Sequence, residues 1–154
     1  MIIMVVSGSF MLQGQVPETE FQALKAFYNA TGGNNWKNRT GWENINTTAT
    51  AADVTGSWYG LSVENGHVTR LGMNSNLKGG YLPPQISDLP RLKYLEVDNG
   101  QLEGRIPDEI GQLVHLEGLT LSYNWFTGPL PASMANLVNM KYLYLSNVPL
   151  NIPF

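Results

Sequence analysis

There is no cysteine in this chain of 154 residues. That absence excludes disulfides, thiolate nucleophiles and cysteine-based metal sites together. It leaves the compartment open, because exported proteins need not carry disulfides. Charge is also scarce: Asp, Glu, Lys and Arg make up 14% of the residues, below the usual quarter, so Asn, Ser, Thr and Gly must keep the surface polar. A formal net charge of −3 gives no electrostatic footprint for nucleic acid. Long apolar runs are missing too. The opening residues MIIMVVSGSFMLQGQ (1–15) carry no charge, but Ser and Gly interrupt them well short of bilayer-spanning length. They have the apolar and small-residue regions of a secretory signal without its basic n-region. The expectation is a signal peptide cleaved near Gly14 or Gln15, with a packed or disordered tail as the alternative. No transmembrane segment is expected elsewhere.

What the chain does have is a repeat. Leu71, Leu95, Leu119 and Leu143 recur at a step of 24 residues, and Met73, Val97, Leu121 and Leu145 keep the same step. So do Leu82, Ile106 and Leu130; Pro83, Pro107 and Pro131; Ile86, Ile110 and Met134; Leu89, Leu113 and Leu137; and Leu92, Leu116 and Met140. Gly80, Gly104 and Gly128 are in phase with them. Within one unit, Leu95 and Val97 alternate with Glu96 and Asp98, the period of a short strand with one buried face. Ile110, Leu113 and Leu116 are spaced for one side of a short or 3₁₀-like helical segment. A unit this small cannot bury its own apolar face, but stacked units turn each column into a ridge of core.

The pattern L-x-x-L-x-L-x-x-N-x-L-x-G-x-[IL]-P resembles the leucine-rich repeat in its 24-residue form, known from plant receptor ectodomains and from bacterial exported proteins. LEGLTLSYNWFTGPLP (116–131) carries the match, with Phe126 where a leucine is usual. The resemblance covers about residues 68–154 and implies an α/β fold. The fold it implies is a right-handed solenoid with parallel strands on the concave face and short helical or 3₁₀ turns on the convex face. It also implies that Asn76 and Asn124 turn inward as a structural ladder binding the backbone of adjacent coils. Gly100 and Val148 stand at the same place in the second and fourth units, where a weakened ladder is expected. Lys78 falls on an apolar position, just after Leu77. The fourth unit ends before its helical part with no recognisable cap. Either the protein continues or something covers Leu145, Leu150 and Phe154.

Residues 16–67 are expected to form an N-terminal cap. PETEFQALKAFYNATGG (17–33) reads as an amphipathic helix with acidic residues in its first turn and Gly32–Gly33 as its stop. TTATAADVTG (47–56) reads as irregular. LSV and HVTRL flank Asn65–Gly66, a strong hairpin signal. SWYGLSVENGHVTRL (57–71) resembles the cap segment W-x-G-V-x-C…G-x-V-x-x-L that often precedes leucine-rich repeats. Gly56 and Val63 stand where that cap has its disulfide, so packing of Trp36, Trp42 and Trp58 must replace it. With YNATGGNNWKNRTGW (28–42), the cysteine-free cap is closer to the bacterial exported members.

No catalytic constellation emerges, and no enzyme, cofactor or metal site is expected. His67, beside the hairpin turn, and His115, in the second unit's helical part, are expected on different faces of the solenoid. Ser75 to Lys78 matches S-x-x-K, but Asn76 holds a structural place there and no partner motif exists. Asp98, Asp108 and Glu109 lack metal-loop spacing. Asn29, Asn38 and Asn46 head N-glycosylation sequons, which Asn/Thr-rich loops also produce by chance.

If Leu95 and Val97 point inward, Tyr94, Glu96 and Asp98 point outward. The same columns hold Thr120, Tyr142 and Tyr144, with Tyr123 and Trp125 flanking Asn124. These eight residues are the candidate concave-face ligand site. Tyrosine gives large contact area, a polar tip and few rotors to freeze. The expected function is an exported, secreted or cell-surface, non-catalytic binding module for a protein or peptide. A structural N-terminal fragment of a larger surface or receptor-like protein is one alternative. Carbohydrate binding through the aromatic faces is another.

Overall fold

The computed structural model describes residues 15–149, and the signal-like stretch up to Gly14, with Leu150 and Phe154, lies outside them. The chain begins with helix α1 (Glu18–Ala30). Phe21, Leu24, Phe27 and Tyr28 are buried on its inner side, as their spacing predicts. Gly32 then enters the left-handed region at φ +65°, and a single 3₁₀ turn follows at Gly33–Asn35. A second such turn, Ala51–Asp53, sits in the stretch expected to be irregular. The Asp53 carboxylate accepts the Thr50 backbone N–H at 2.7 Å and the Thr50 hydroxyl at 2.9 Å. That is a capping arrangement on a T-x-x-D spacing.

Strands β1 (Leu61–Glu64) and β2 (His67–Gly72) form the expected antiparallel hairpin. Asn65 and Gly66 turn it with φ of 52° and 76°, a combination that suits the right-handed twist of paired strands. The hairpin's second strand is also the first of a parallel stack. Strand β3 (Tyr94–Glu96), the short β4 (Glu103–Gly104), β5 (Gly118–Thr120), the short β6 (Trp125–Phe126) and β7 (Tyr142–Tyr144) follow in sequence. The main sheet has the order β1-β2-β3-β5-β7, and β4 pairs with β6 in a separate two-stranded sheet. Register is fixed by the repeat: Arg70, Tyr94, Gly118 and Tyr142 are neighbours across successive strands, as are Leu71, Leu95, Leu119 and Leu143.

Opposite the sheet, 3₁₀ turns at Pro84–Asp88, Asp108–Gln112 and Ala132–Asn136 follow Pro83, Pro107 and Pro131. Gly80, Gly104 and Gly128 carry φ of 95°, 80° and 81°. The left-handed backbone needed at every corner explains why the same residue recurs there. Between turns and sheet, Leu95, Val97, Leu102, Ile106, Ile110, Leu113 and Leu116 are buried, and the columns open toward the last coil, where Leu130, Met134, Met140 and Leu145 are only partly buried and Leu143 is exposed. Each such aliphatic side chain stabilises the stack by about 1.5–3 kcal/mol relative to exposure.

One residue breaks the expected register. Lys78 does not enter the core; it is exposed, and Leu77 is buried in its place. A lysine ammonium without a partner costs too much to bury, and the neighbouring apolar side chain is only one step away.

The segment before the repeats is held by aromatic packing. Trp42 is fully buried at the centre, with ring centroids 5.0 Å from Trp36, 5.2 Å from Trp58 and 6.2 Å from Tyr28. Its indole N–H donates to Tyr59 O at 3.0 Å. A Cβ on Gly56 would lie 3.7 Å from Val63 N, so these two positions do come together, without a bond between them. The carboxylate of Glu20 ties the helix to the hairpin. It is fully buried, accepts the Val68 N–H at 2.8 Å and meets His67 Nδ1 at 2.5 Å.

Candidate functional site

The outward side chains of the main sheet form a continuous row. The Tyr94 and Tyr142 rings lie nearly parallel with centroids 6.4 Å apart, and Tyr142 and Tyr144 are 5.5 Å apart. Gly118 makes this possible. It sits between Tyr94 and Tyr142 in the register, and a Cβ there would overlap the Tyr142 ring. The Tyr142 ring therefore lies flat over β5 and brings its hydroxyl to 3.5 Å from Glu96 Oε1. Burial, then the Glu96 charge, hold that phenol above its ordinary pKa. Glu96 also pairs with Arg70, whose guanidinium carbon stands 5.9 Å from the Tyr94 ring centroid. Tyr94 donates its hydroxyl to Glu117 Oε2 at 3.0 Å. Glu117 in turn pairs with Lys141 at 2.7 Å, which with the Tyr94 hydroxyl keeps its carboxyl below the usual range.

The eight candidate side chains are not equivalent. Tyr94, Tyr142 and Tyr144 come together, and Tyr144 is 56% exposed. Glu96 and Thr120 point outward as predicted, but both are recessed, to 9% and 7% exposure, with Arg70 and Tyr142 reaching over Glu96, so they form the floor of the row. Tyr123 and Trp125, at 58% and 57% exposure, make no ring contact with it among the described residues. The cause is the turn. Ser75, Asn99, Tyr123 and Asn147 all have φ between 51° and 57°. This left-handed step rotates the chain off the main sheet, and Trp125 continues into β6.

The Thr120 hydroxyl is the one buried side-chain polar atom of the described residues without a hydrogen-bond partner. Thr120→Val keeps the shape and removes the orphan. The variant is expected to gain about 1 kcal/mol of stability, read as a higher denaturant midpoint at unchanged m-value. A loss of similar size would mean that the hydroxyl is satisfied in solution.

Asp98 has a structural task that spacing alone did not reveal. Asn74 Oδ1 accepts the Asp98 N–H at 3.0 Å, Asp98 Oδ1 accepts the Ser122 N–H at 2.6 Å, and Ser122 Oγ accepts the Ser146 N–H at 3.1 Å. Each coil thus caps the next along the outer edge of the sheet.

The inward ladder is uneven. Buried Asn124 accepts from the Gly100 and Leu102 N–H groups, both at 3.0 Å, and donates to Val97 O at 2.7 Å and Leu121 O at 2.9 Å. The backbone at Gly100, where a weakened ladder is expected, is therefore served from the following coil. Asn76 also reaches back, but past the coils: it accepts from Asn38 N at 2.7 Å and donates to Asn38 O at 2.8 Å. It joins the first coil to the segment before it.

The two histidines also differ from expectation, since they line the same groove. This open groove of about 530 Å³ runs beside the sheet and is walled by His67, Arg91 and His115, with Lys93 and Glu117 behind them. Positions 67, 91 and 115 are one repeat step apart, which brings them side by side on successive coils. Arg91 Nη1 lies 3.2 Å from His115 Nε2. Of the sequon residues, Asn29 and Asn46 pair their amides reciprocally at 3.2 and 2.6 Å, whereas the Asn38 oxygen accepts from Thr40. Among the described residues no group of three acidic or histidine side chains is placed to hold a metal, and no helix is long and apolar enough to cross a membrane.

Comparison with known proteins agrees with this architecture. Residues 115–137 match the family model described as Leucine Rich Repeat. No curated protein matches the chain in sequence. Among solved structures, a plant ice-binding protein superposes with a TM-score of 0.71 at 27% identity, over 88% of this chain and 42% of that one. The LRR ectodomain of the receptor kinase SOBIR1 from Arabidopsis thaliana gives 0.65 at 27% identity, over 88% and 70%. The BIR3–SERK2 complex from Arabidopsis thaliana gives 0.71 at 22% identity, over 85% and 70%, a likeness of fold alone. The chain thus spans less than half of the ice-binding protein. The repeat, the parallel sheet and these matches agree on a leucine-rich-repeat fold, with the family model itself matched over residues 115–137.

Proposed function

We propose that this chain is an exported, non-catalytic binding module that receives a protein or peptide on the outward face of its main sheet. In this reading that face is the concave side of a right-handed solenoid, and residues 16–67 close its first coil. The observation that carries it is the row of Tyr94, Tyr142 and Tyr144, held by ring contacts over a floor of Glu96 and Thr120. Rigid aromatic side chains with polar tips, already ordered before a partner arrives, lower the entropic cost of binding. The likeness to a receptor-kinase ectodomain supports the same class and the extracellular setting.

The test is a Tyr94→Ala, Tyr142→Ala double variant. Partners are first captured from extracellular fractions with the immobilised wild-type chain. The variant is expected to keep the wild-type circular dichroism spectrum and to bind those partners at least about tenfold more weakly, since central tyrosines are frequent hot spots. A folded variant that binds them all as well as wild type contradicts the assignment of the face.

A further inference from the structure

We propose that the tyrosine face takes a basic side chain of the bound protein or peptide, a lysine ammonium or arginine guanidinium, seated above Thr120 between the Tyr144 ring and the Asp98 carboxylate. The inference rests on the binding-face reading and names its ligand chemistry.

The face already holds one cation in this manner. Arg70 stands over the Tyr94 ring and pairs with Glu96 in the adjacent strand, so an aromatic face and a carboxylate share one guanidinium. A second set of the same parts is present without its cation. Tyr142 and Tyr144 supply the rings and Asp98 supplies the carboxylate. Glu64 pairs with Lys93 at 2.8 Å, Glu117 with Lys141 at 2.7 Å, and Glu96 with Arg70. Among the described residues, Asp98 is the carboxylate of this face that no lysine, arginine or histidine meets.

Its surroundings make the charge uncomfortable. Burial first, and then the neighbouring Glu96, push the Asp98 carboxyl above its ordinary range, and the Ser122 N–H offsets this only in part. A cation arriving from a ligand supplies the counter-charge that offsets both. The spacing also fits. Strands β3 and β7 are separated by one strand, about 10 Å at the usual strand separation. Thr120, small beside Tyr144, stands in register between Glu96 and Tyr144, and Asp98 follows two residues after Glu96 at the end of β3. A long basic side chain can lie on the rings with its stem and place its head at Asp98, the arrangement in which cation–π attraction and charge pairing act together.

Nα-acetyl-arginine amide and Nα-acetyl-lysine amide, with Nα-acetyl-citrulline amide as the neutral isostere, serve as probes. Binding is followed by NMR shifts of the Tyr144 ring and the Asp98 carboxyl carbon. The basic amides are expected to bind about fivefold tighter than the citrulline amide. Asp98→Asn keeps the acceptor for the Ser122 N–H and removes the charge, so it is expected to abolish that preference with the fold intact. Equal binding of the neutral probe, a preference that survives in Asp98→Asn, or no shift at Tyr144 with any probe overturns the inference. Each of these outcomes leaves the binding face itself standing, because the Tyr94→Ala, Tyr142→Ala variant reads partner capture and not charge.

Discussion

Replacing Trp42 with alanine is expected to lower the unfolding free energy by about 4 kcal/mol, at the upper end for aromatic truncations. The side chain is fully buried and touches Trp36, Trp58 and Tyr28, and no disulfide shares the load. Truncation opens a cavity at the meeting point of α1, the loop and the hairpin, and leaves the Tyr59 carbonyl without its indole donor. For a domain of this size the loss corresponds to a fall in Tm of roughly 10–15 °C. The damage should be graded along the chain, because a solenoid is stabilised coil by coil. Hydrogen exchange should accelerate most in α1 and the hairpin and least around β5. Trp42→Phe, which keeps most of the apolar volume, should cost clearly less. An unchanged denaturation midpoint for Trp42→Ala would show that the segment is held by something other than its aromatic cluster.

Asn124→Ala comes next in size, with an expected loss of about 3–5 kcal/mol. The physical reason differs. Little apolar surface is lost, but the Gly100 and Leu102 N–H groups remain buried with nothing to accept them, and each such orphan costs about 1–3 kcal/mol. The carbonyls of Val97 and Leu121 lose a donor as well. Asn124→Asp is no remedy, since it restores the acceptor but buries a charge against those carbonyls. Asn76→Ala provides the contrast. Its partners belong to Asn38 in a partly exposed loop that water can reach, so about 1–2 kcal/mol is expected. Urea denaturation of the two variants side by side measures the difference. Equal losses would mean that the inward ladder is not the uneven device seen here.

The sequence was legible wherever one registration repeats. A period shared by leucines, glycines and prolines fixes strands, corners and 3₁₀ turns at once, because each column must do the same job in every coil. The Asn65–Gly66 hairpin was legible for a local reason: two positive φ values in a row need those residue types. What was not legible depends on distance or on a one-residue choice. The slip from Lys78 to Leu77 follows from the price of burying an ammonium, which the column pattern does not weigh. Glu20 meets His67 and Val68 across nearly fifty positions, and no periodicity predicts such a pair. At the candidate site, alternation correctly turned Tyr94, Glu96, Thr120, Tyr142 and Tyr144 outward. It could not show that Gly118 lets Tyr142 lie down over β5 and close off Glu96. Adjacency to the strand predicts Tyr123 and Trp125 on the same face, whereas the left-handed turn takes them elsewhere. The column Asn74, Asp98, Ser122 and Ser146 was visible in the repeat, and small oxygen-bearing side chains recurring at one strand-end register were the available sign of the staircase. The shared groove of His67 and His115 was also present as a step of twice the repeat length.

The most direct test of the binding face is photo-crosslinking with benzoylphenylalanine introduced singly at Tyr144, on the outward face, and at Ala135, in the 3₁₀ turn opposite. The wild-type chain supplies captured partners for both. The account predicts adducts with a given partner from position 144 and none from position 135. Adducts from position 135 with none from position 144 would contradict it.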